Sequence, residues 1–254
     1  MRLSRRQSIK AMATAAALEV PPRKAFAAAT PVRLIVLDIG GTIIQDRGDV
    51  PQALQGAFAK RGMKVTAEEI ALWRGASKRE VVRHFLGERS TATGADRDKL
   101  VDAIYADFNA HVIQVYKDVP PIAGAEAAFG KLLGSGHLLA SSTGFGREIA
   151  ASIFRRLGWE KYFAAMISSD DVAQGRPSPY MIFHAMETAH VSSVAEVMVV
   201  GDTPLDLQAG TNAGVRGVVG VLSGASKEER LRPEPHTDIL ASVADLPALI
   251  ASKY

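Results

Sequence analysis

Cysteine is absent from all 254 residues, which excludes disulfides, thiol catalysis and cysteine-ligated metal sites. No uncharged apolar run reaches the roughly 18 residues that suggest a transmembrane helix. Aromatic residues make up only 6% of the chain, and no basic stripe is interleaved with them, so the pattern of a nucleic-acid-binding surface is missing. The net charge of +3 does not change this, because the charge is unevenly placed. Residues 1–30 carry six basic side chains (Arg2, Arg5, Arg6, Lys10, Arg23, Lys24) against Glu19, which leaves 24 basic and 26 acidic residues in the rest. Most of the histidines (His111, His137, His184, His190, His236) are scattered and make no metal-binding pattern. One further absence is local. In "LIVLDIGGTI", residues 34–43, Asp38 ends an apolar run and is followed by Ile39, Gly40 and Gly41, so no second carboxylate stands beside it for acid–base work.

What is present begins with a leader in three parts. A charged head "SRRQSIK", a short apolar middle "AMATAAAL" and a small-residue end "EVPPRKAFAAAT" follow the order of an export signal. The arginine pair resembles the twin-arginine type, roughly S-R-R-x-F-L-K, with Ser8 and Ile9 at the phenylalanine and leucine positions. That resemblance implies cleavage at "AFA" (25–27) or "AAA" (27–29) and delivery of a folded, metal-loaded protein to the periplasm, with no membrane attachment after processing. The alternative is a disordered, Ala-rich extension on a cytoplasmic enzyme, a reading to which Glu19 lends weight.

Beyond the leader, "VRLIVLDIGG" has the short β-rich apolar character of a buried parallel strand. Residues 49–118 read as a helical insert, with helices over "PQALQGAFAKRG", "TAEEIALWRG", "SKREVVRHFLG" and "ADRDKLVDAIYADFNAHVIQVYKD". Thr66 and Glu69 have capping-box spacing, and Gly62 and Gly75 stand where helices stop. From Val119 strands and helices alternate: "HLLASST", "AAMISS", "EVMVVGD", "VRGVVGVL" and "TDIL" as strands, "REIAASIFRRLG", "SPYMIFHAMETA" and "PLDLQAGTNAG" as helices. The pattern predicts an α/β protein: a doubly wound, Rossmann-like parallel sheet built from residues 31–48 and 119–254, with a small all-helical cap, 49–118, inserted after the first strand.

In such sheets ligands bind outside the carboxyl ends of the strands. Three strands end there in polar residues: Asp38, Ser142 with Thr143, and Asp202. Each has an ordinary explanation alone, as a helix cap or a turn. Together, with Asp206 one helical turn beyond Asp202, they compose a hard oxygen site suited to Mg²⁺. Ser142, Thr143 and the following amides, read as a helix start, offer an anion site, and Arg176 a fixed cation for a phosphoryl group. The reaction class is magnesium-assisted phosphoryl transfer to an aspartate.

These motifs, in this order, resemble those of the haloacid dehalogenase superfamily of hydrolases over about residues 32–251. The first motif, D-x-D-x-T, appears as "DIGGT" and ends on Thr42; the second is Ser142, the third Arg176 in "GRPSP", the fourth "GDTPLD". The resemblance implies Asp38 as nucleophile, with Thr42, Ser142, Thr143, Gly144 and Arg176 around the phosphate. Asp38, the Gly40 carbonyl and Asp202 would hold Mg²⁺, with Asp206 behind them. Gly40 removes the usual general acid, whose loss costs about 10²–10⁴ in rate. "SSTGFGREI" and "GRPSPYMI" resemble the phosphonatase-like branch, whose members have Ala at the Gly40 position. There a cap lysine in a G-x-x-K segment forms a Schiff base with an aldehyde, and no leaving oxygen needs a proton.

"RGASK" places Gly75 and Lys78 on that spacing. Two neighbours depart from the branch: Arg74 replaces a methionine and Val81 a histidine, with His84, one turn further on, the available substitute. The implied function is a Mg²⁺-dependent hydrolase forming an aspartyl-phosphate on a small phosphonate or phosphate metabolite, as monomer or homodimer. The alternatives are an ordinary phosphomonoesterase of the phosphoglycolate phosphatase type, in which Lys78 simply binds phosphate or carboxylate, and a catalytically weakened domain that binds phosphate ligands. Trp73 and Trp159 read as packing residues.

Overall fold

The computed structural model describes residues 31–254, and the expected export signal lies outside the described residues. Strand β1 (Leu34–Leu37) is completely buried. Four helices follow: α1 (Asp49–Ala59), α2 (Ala67–Ala71), α3 (Lys78–Arg89) and α4 (Gly94–Val115). The remainder alternates through α5 (Ala125–Gly134), β2 (Leu138–Thr143), α6 (Arg147–Leu157), β3 (Ala165–Ser168), α7 (Tyr180–Thr188), β4 (Val197–Gly201), α8 (Pro204–Ala213), β5 (Gly217–Val221), α9 (Glu228–Leu231), β6 (Asp238–Leu240) and α10 (Leu246–Lys253).

The six strands are parallel, in the order β3-β2-β1-β4-β5-β6. Successive side chains of a strand point to opposite faces, and β1 shows the result. Leu34 and Val36 pack with Met181, Ile182 and Ala209 from α7 and α8. Ile35 and Leu37 join Phe129, Ile149, Phe154 and Leu246 from α5, α6 and α10 on the other side. Both faces are therefore covered, the condition under which an all-parallel sheet is stable.

The cap has its own apolar centre, with Phe58, Phe85 and Phe108 each at most 2% exposed and α4 packed along α1 and α3. Its two linkers run side by side: Gln45 N–H donates to the Pro120 carbonyl (3.0 Å), and Arg47 Nη2 reaches the Val115 carbonyl (2.9 Å) and Asp118 (3.1 Å).

Two expectations need adjustment. The helix expected over residues 66–75 has its Thr66–Glu69 capping box but ends at Ala71. The chain then turns to Gly75, whose φ of +84° suits glycine. A Cβ there would lie 2.4 Å from Thr203 Oγ1, so close approach of the cap to the core ends this helix early. Helices α5 and α10 were not expected: α5 starts behind a left-handed Gly124, and neither has a side-chain cap to mark its start.

Candidate active site

Adjacent strands β2, β1 and β4 bring the predicted polar residues to one edge, because Leu37 is level with both Ser141 and Val200. Asp38 comes next after β1, and its N–H donates to the Val200 carbonyl at 2.9 Å. Asp38, Asp202 and Asp206 are all buried, and each offers a carboxylate oxygen within 4.8 Å of the others.

Arg176 reaches into this acidic group. Its Nη1 lies 2.8 Å from Asp38 Oδ1 and 2.6 Å from Asp206 Oδ1, at ion-pair distance but outside hydrogen-bond angles. Its Nη2 donates to the Ser142 carbonyl (2.7 Å) and hydroxyl (2.8 Å). Arg176 thus grips the nucleophile candidate and the end of β2 together. Asp206 uses Oδ2 to accept from the Thr203 N–H (3.0 Å) and hydroxyl (2.6 Å), closing the first turn of α8.

Three carboxylates face one guanidinium here, and the electrostatics show the imbalance. Burial, opposed by Arg176, pushes the Asp38 carboxyl up to about 6. Burial and the charges of Asp38 and Asp206 lift Asp202 well above the usual carboxylate range. Asp202 Oδ2 accepts from the Ala225 N–H at 2.6 Å, while Oδ1 is buried with no partner among the described residues. An orphaned carboxylate oxygen among other carboxylates fits a hard divalent cation, which would supply the missing positive charge. Gly41 (φ +83°) permits the close approach, since a Cβ there would meet Asp202 Oδ2 at 2.5 Å.

The loop between α2 and α3 closes the site from above. Lys78 is the first residue of α3, its N–H donates to the Gly144 carbonyl (3.1 Å), and Glu80 Oε1 accepts from the Gly175 N–H (2.8 Å). A Cβ at Gly144 would lie 2.4 Å from the Ala76 carbonyl oxygen, so backbone meets backbone across this seam. Lys78 is 7% exposed. Its Nζ donates to the Ala76 carbonyl (2.7 Å) and stands 5.5 Å from the centre of the Phe145 ring. Burial, opposed chiefly by Asp38, draws the Lys78 amine down to about 8.

Between floor and roof lies a cavity of about 70 Å³ bordered by Asp38, Gly40, Trp73, Lys78, Tyr116 and Phe145. A single water needs roughly 10–15 Å³ by this measure, so the space suits a ligand of a few non-hydrogen atoms. Gly40 does not require glycine for its backbone, and a Cβ there would touch only the Phe145 ring at 3.6 Å. Neither the backbone nor a clash at Cβ therefore forces glycine at this position.

Other predicted residues fall elsewhere. Thr143 and Gly144 border the cavity. Thr42 is fully buried, does not border it, and its hydroxyl has no partner among the described residues. Helix α6 begins only at Arg147, and Asp170 Oδ2 already accepts that N–H at 2.8 Å; the Thr143–Gly144 loop, not a helix start, faces the site. His84 does not replace the histidine absent at Val81: six residues beyond Lys78 it lies about 240° around the helix. It pairs with Glu88 (3.2 Å) and stacks on Trp73. Trp73 borders the cavity, whereas Trp159 is buried in the core and its Nε1 donates to Glu126 (2.6 Å). Asp46, Tyr116 and Phe145 also border the cavity and were not among the expected site residues: the linkers that carry Asp46 and Tyr116 meet only in three dimensions, while Phe145, next to Gly144, offers an apolar ring and no polar signal.

A doubly wound parallel sheet with carboxylates at its switch point and a helical lid defines a capped hydrolase. The sequence profile of haloacid dehalogenase-like hydrolases matches residues 35–220, and the chain belongs to that family. Within it, the similarity runs to the phosphonatase-like branch. The chain is 28% identical over 236 residues to phosphonoacetaldehyde hydrolase of Latilactobacillus sakei, covering 85% of this chain and 87% of that protein. It is 29% identical over 206 residues to the enzyme of the same name from Syntrophobacter fumaroxidans, covering 77% and 74%. A crystal structure of a phosphonoacetaldehyde hydrolase-like protein from Oleispira antarctica superposes with a TM-score of 0.75 at 26% identity, covering 88% of this chain and 93% of that one.

Proposed function

We propose that this hydrolase cleaves the carbon–phosphorus bond of a small phosphonate aldehyde such as phosphonoacetaldehyde, with Mg²⁺ as cofactor. One observation carries the reading: Lys78 is buried at the cavity shared with Asp38 and Gly40, with its amine drawn down to about 8. A lysine so placed has a substantial neutral fraction near neutral pH and can add to a carbonyl carbon. In the resulting iminium, the electrons of the breaking C–P bond flow to nitrogen while Asp38 takes the phosphoryl group as an aspartyl-phosphate. The leaving group is then an enamine, and Gly40 costs nothing. Arg176 holds Asp38 in place, and the Thr143–Gly144 loop borders the phosphoryl end. Asp38, Asp202 and the Gly40 carbonyl would hold Mg²⁺, which would supply positive charge to offset that of the phosphoryl group.

An ordinary phosphomonoesterase is the second reading, favoured by Val81, which leaves the lysine without a histidine on its own helix. One assay separates them. With Mg²⁺ and phosphonoacetaldehyde, borohydride should inactivate the enzyme only in the presence of the aldehyde, and Lys78→Ala should abolish the effect. Phosphate release from a panel of esters by Lys78→Ala at the unaltered rate, without aldehyde-dependent inactivation of the parent, refutes the imine mechanism. Export to the periplasm is proposed separately, and an amino terminus near residues 28–30 on the mature protein tests it.

A further inference from the structure

Addition of an amine to a carbonyl moves a proton. As nitrogen bonds to carbon, the carbonyl π electrons pass to oxygen; that oxygen must gain a proton and the new ammonium nitrogen must lose one. Most groups around the organic end of the cavity cannot do this. Asp46 has both oxygens engaged, Oδ1 by the Gly48 N–H (2.8 Å) and Oδ2 by Arg74 (2.5 Å), and a guanidinium does not give up its proton. Phe145, Val81 and Trp73 offer no hydroxyl or carboxyl group.

Tyr116 is different. It stands just past the end of α4, where the chain leaves the cap, and it is 3% exposed yet borders the cavity. Among the described residues its hydroxyl has no hydrogen-bond partner. Its ring meets Phe145 edge-on, with centres 5.5 Å apart, and Phe145 is the same ring over which Lys78 Nζ lies. The phenol and the amine thus share one aromatic neighbour. A hydroxyl without a protein partner, on a residue that lines a cavity, is free to pair with a ligand there.

We propose that the Tyr116 hydroxyl is the catalytic proton shuttle of the organic end, donating to the substrate's carbonyl oxygen as Lys78 adds to the carbonyl carbon. This rests on the reading of Lys78 as an imine-forming lysine. The hydroxyl gives its proton to oxygen, and the resulting phenolate takes one from the ammonium nitrogen. Tyr116 ends as it began, and a neutral carbinolamine remains. Burial and the nearby charge of Asp46 push the phenol's ionisation upward, so it is protonated and ready to donate at neutral pH. The residue comes from the linker rather than from α3, which accounts for an imine site that has valine at position 81.

Tyr116→Phe removes only an unpaired hydroxyl and keeps the ring against Phe145. The test measures the initial rate at which borohydride traps the phosphonoacetaldehyde adduct, together with kcat and KM for phosphate release. Trapping and kcat should both fall about 10²-fold, within the range for a lost general acid, with KM within about threefold of the parent. A merely structural role would move the melting temperature and KM instead. Should the variant melt early, 3-fluorotyrosine at position 116 keeps the shape and acidifies the phenol; a trapping rate changed about twofold or more supports the shuttle. Equal trapping rates in the parent and in both altered forms overturn the Tyr116 role alone. No trapped adduct in the parent overturns the Lys78 reading, and the shuttle with it.

Discussion

Two buried cations meet at this site, and their surroundings are opposite. Arg176, on the core side, lies between Asp38 and Asp206 with its other nitrogen on Ser142, and the carboxylates push its ionisation upward against burial. Lys78, on the cap side, finds a backbone carbonyl and an aromatic ring, and burial draws its ionisation down. The floor therefore holds a permanent charge that organises carboxylates. The roof holds an amine kept close to the point of losing its proton, which is what a nucleophilic lysine requires.

Paired substitutions test that contrast most strongly. Arg176→Met leaves Asp38 and Asp206 buried without their cation and should cost about 3–5 kcal/mol of stability in metal-free protein. Lys78→Met removes a desolvated amine and should stay within about 1 kcal/mol of the parent or exceed it, while abolishing turnover of the aldehyde. Urea unfolding of both variants decides the matter, and equal losses would break the comparison. A smaller effect concerns pH. Because the neutral amine is the reactive form, kcat/KM for phosphonoacetaldehyde should rise about tenfold per pH unit below about 8 and level above it. A flat profile from pH 6.5 to 8.5 would count against a nucleophilic Lys78.

The carboxylates titrate with the opposite consequence for stability. Asp38 has a folded-state value of about 6 against 3.8 for the free group, so the folded protein binds more protons than the unfolded chain between about pH 4 and 6. Metal-free protein should lose stability as pH rises through that window, by up to about 3 kcal/mol from this group, and Mg²⁺ should restore it. Melting temperatures with and without Mg²⁺ at pH 5 and 7.5 check this, the larger gain being expected at 7.5. The smallest effect falls on Gly40→Asp: its Cβ has room beside Phe145, and phosphomonoester hydrolysis should rise about tenfold, part of the range for general acid catalysis.

Much of this was legible in the chain. "LIVLDIGG" announces a buried strand with a carboxylate at its end, and Asp202 and Asp206 announce themselves by helical spacing. Lys78 follows only from the resemblance of "RGASK" to the G-x-x-K cap segment of the phosphonatase-like branch. What escaped was set by long-range approach. Helix α2 stops at Ala71 because Gly75 must meet Thr203, and nothing within residues 66–75 records that contact. Tyr116 lies 78 positions from Asp38 in the chain and reaches the cavity only through the antiparallel course of the linkers. His84 looked close in sequence, but helical rotation turns it toward Glu88.

The seam where Gly75 and Gly144 bring bare backbone against the opposite wall leaves no slack between cap and core. A Cβ at Gly144 would lie 2.4 Å from the Ala76 carbonyl oxygen, and one at Gly75 2.4 Å from Thr203 Oγ1. A single methyl group at either position would therefore wedge the two walls apart and distort the cavity that Lys78 shares with Asp38, without touching either residue.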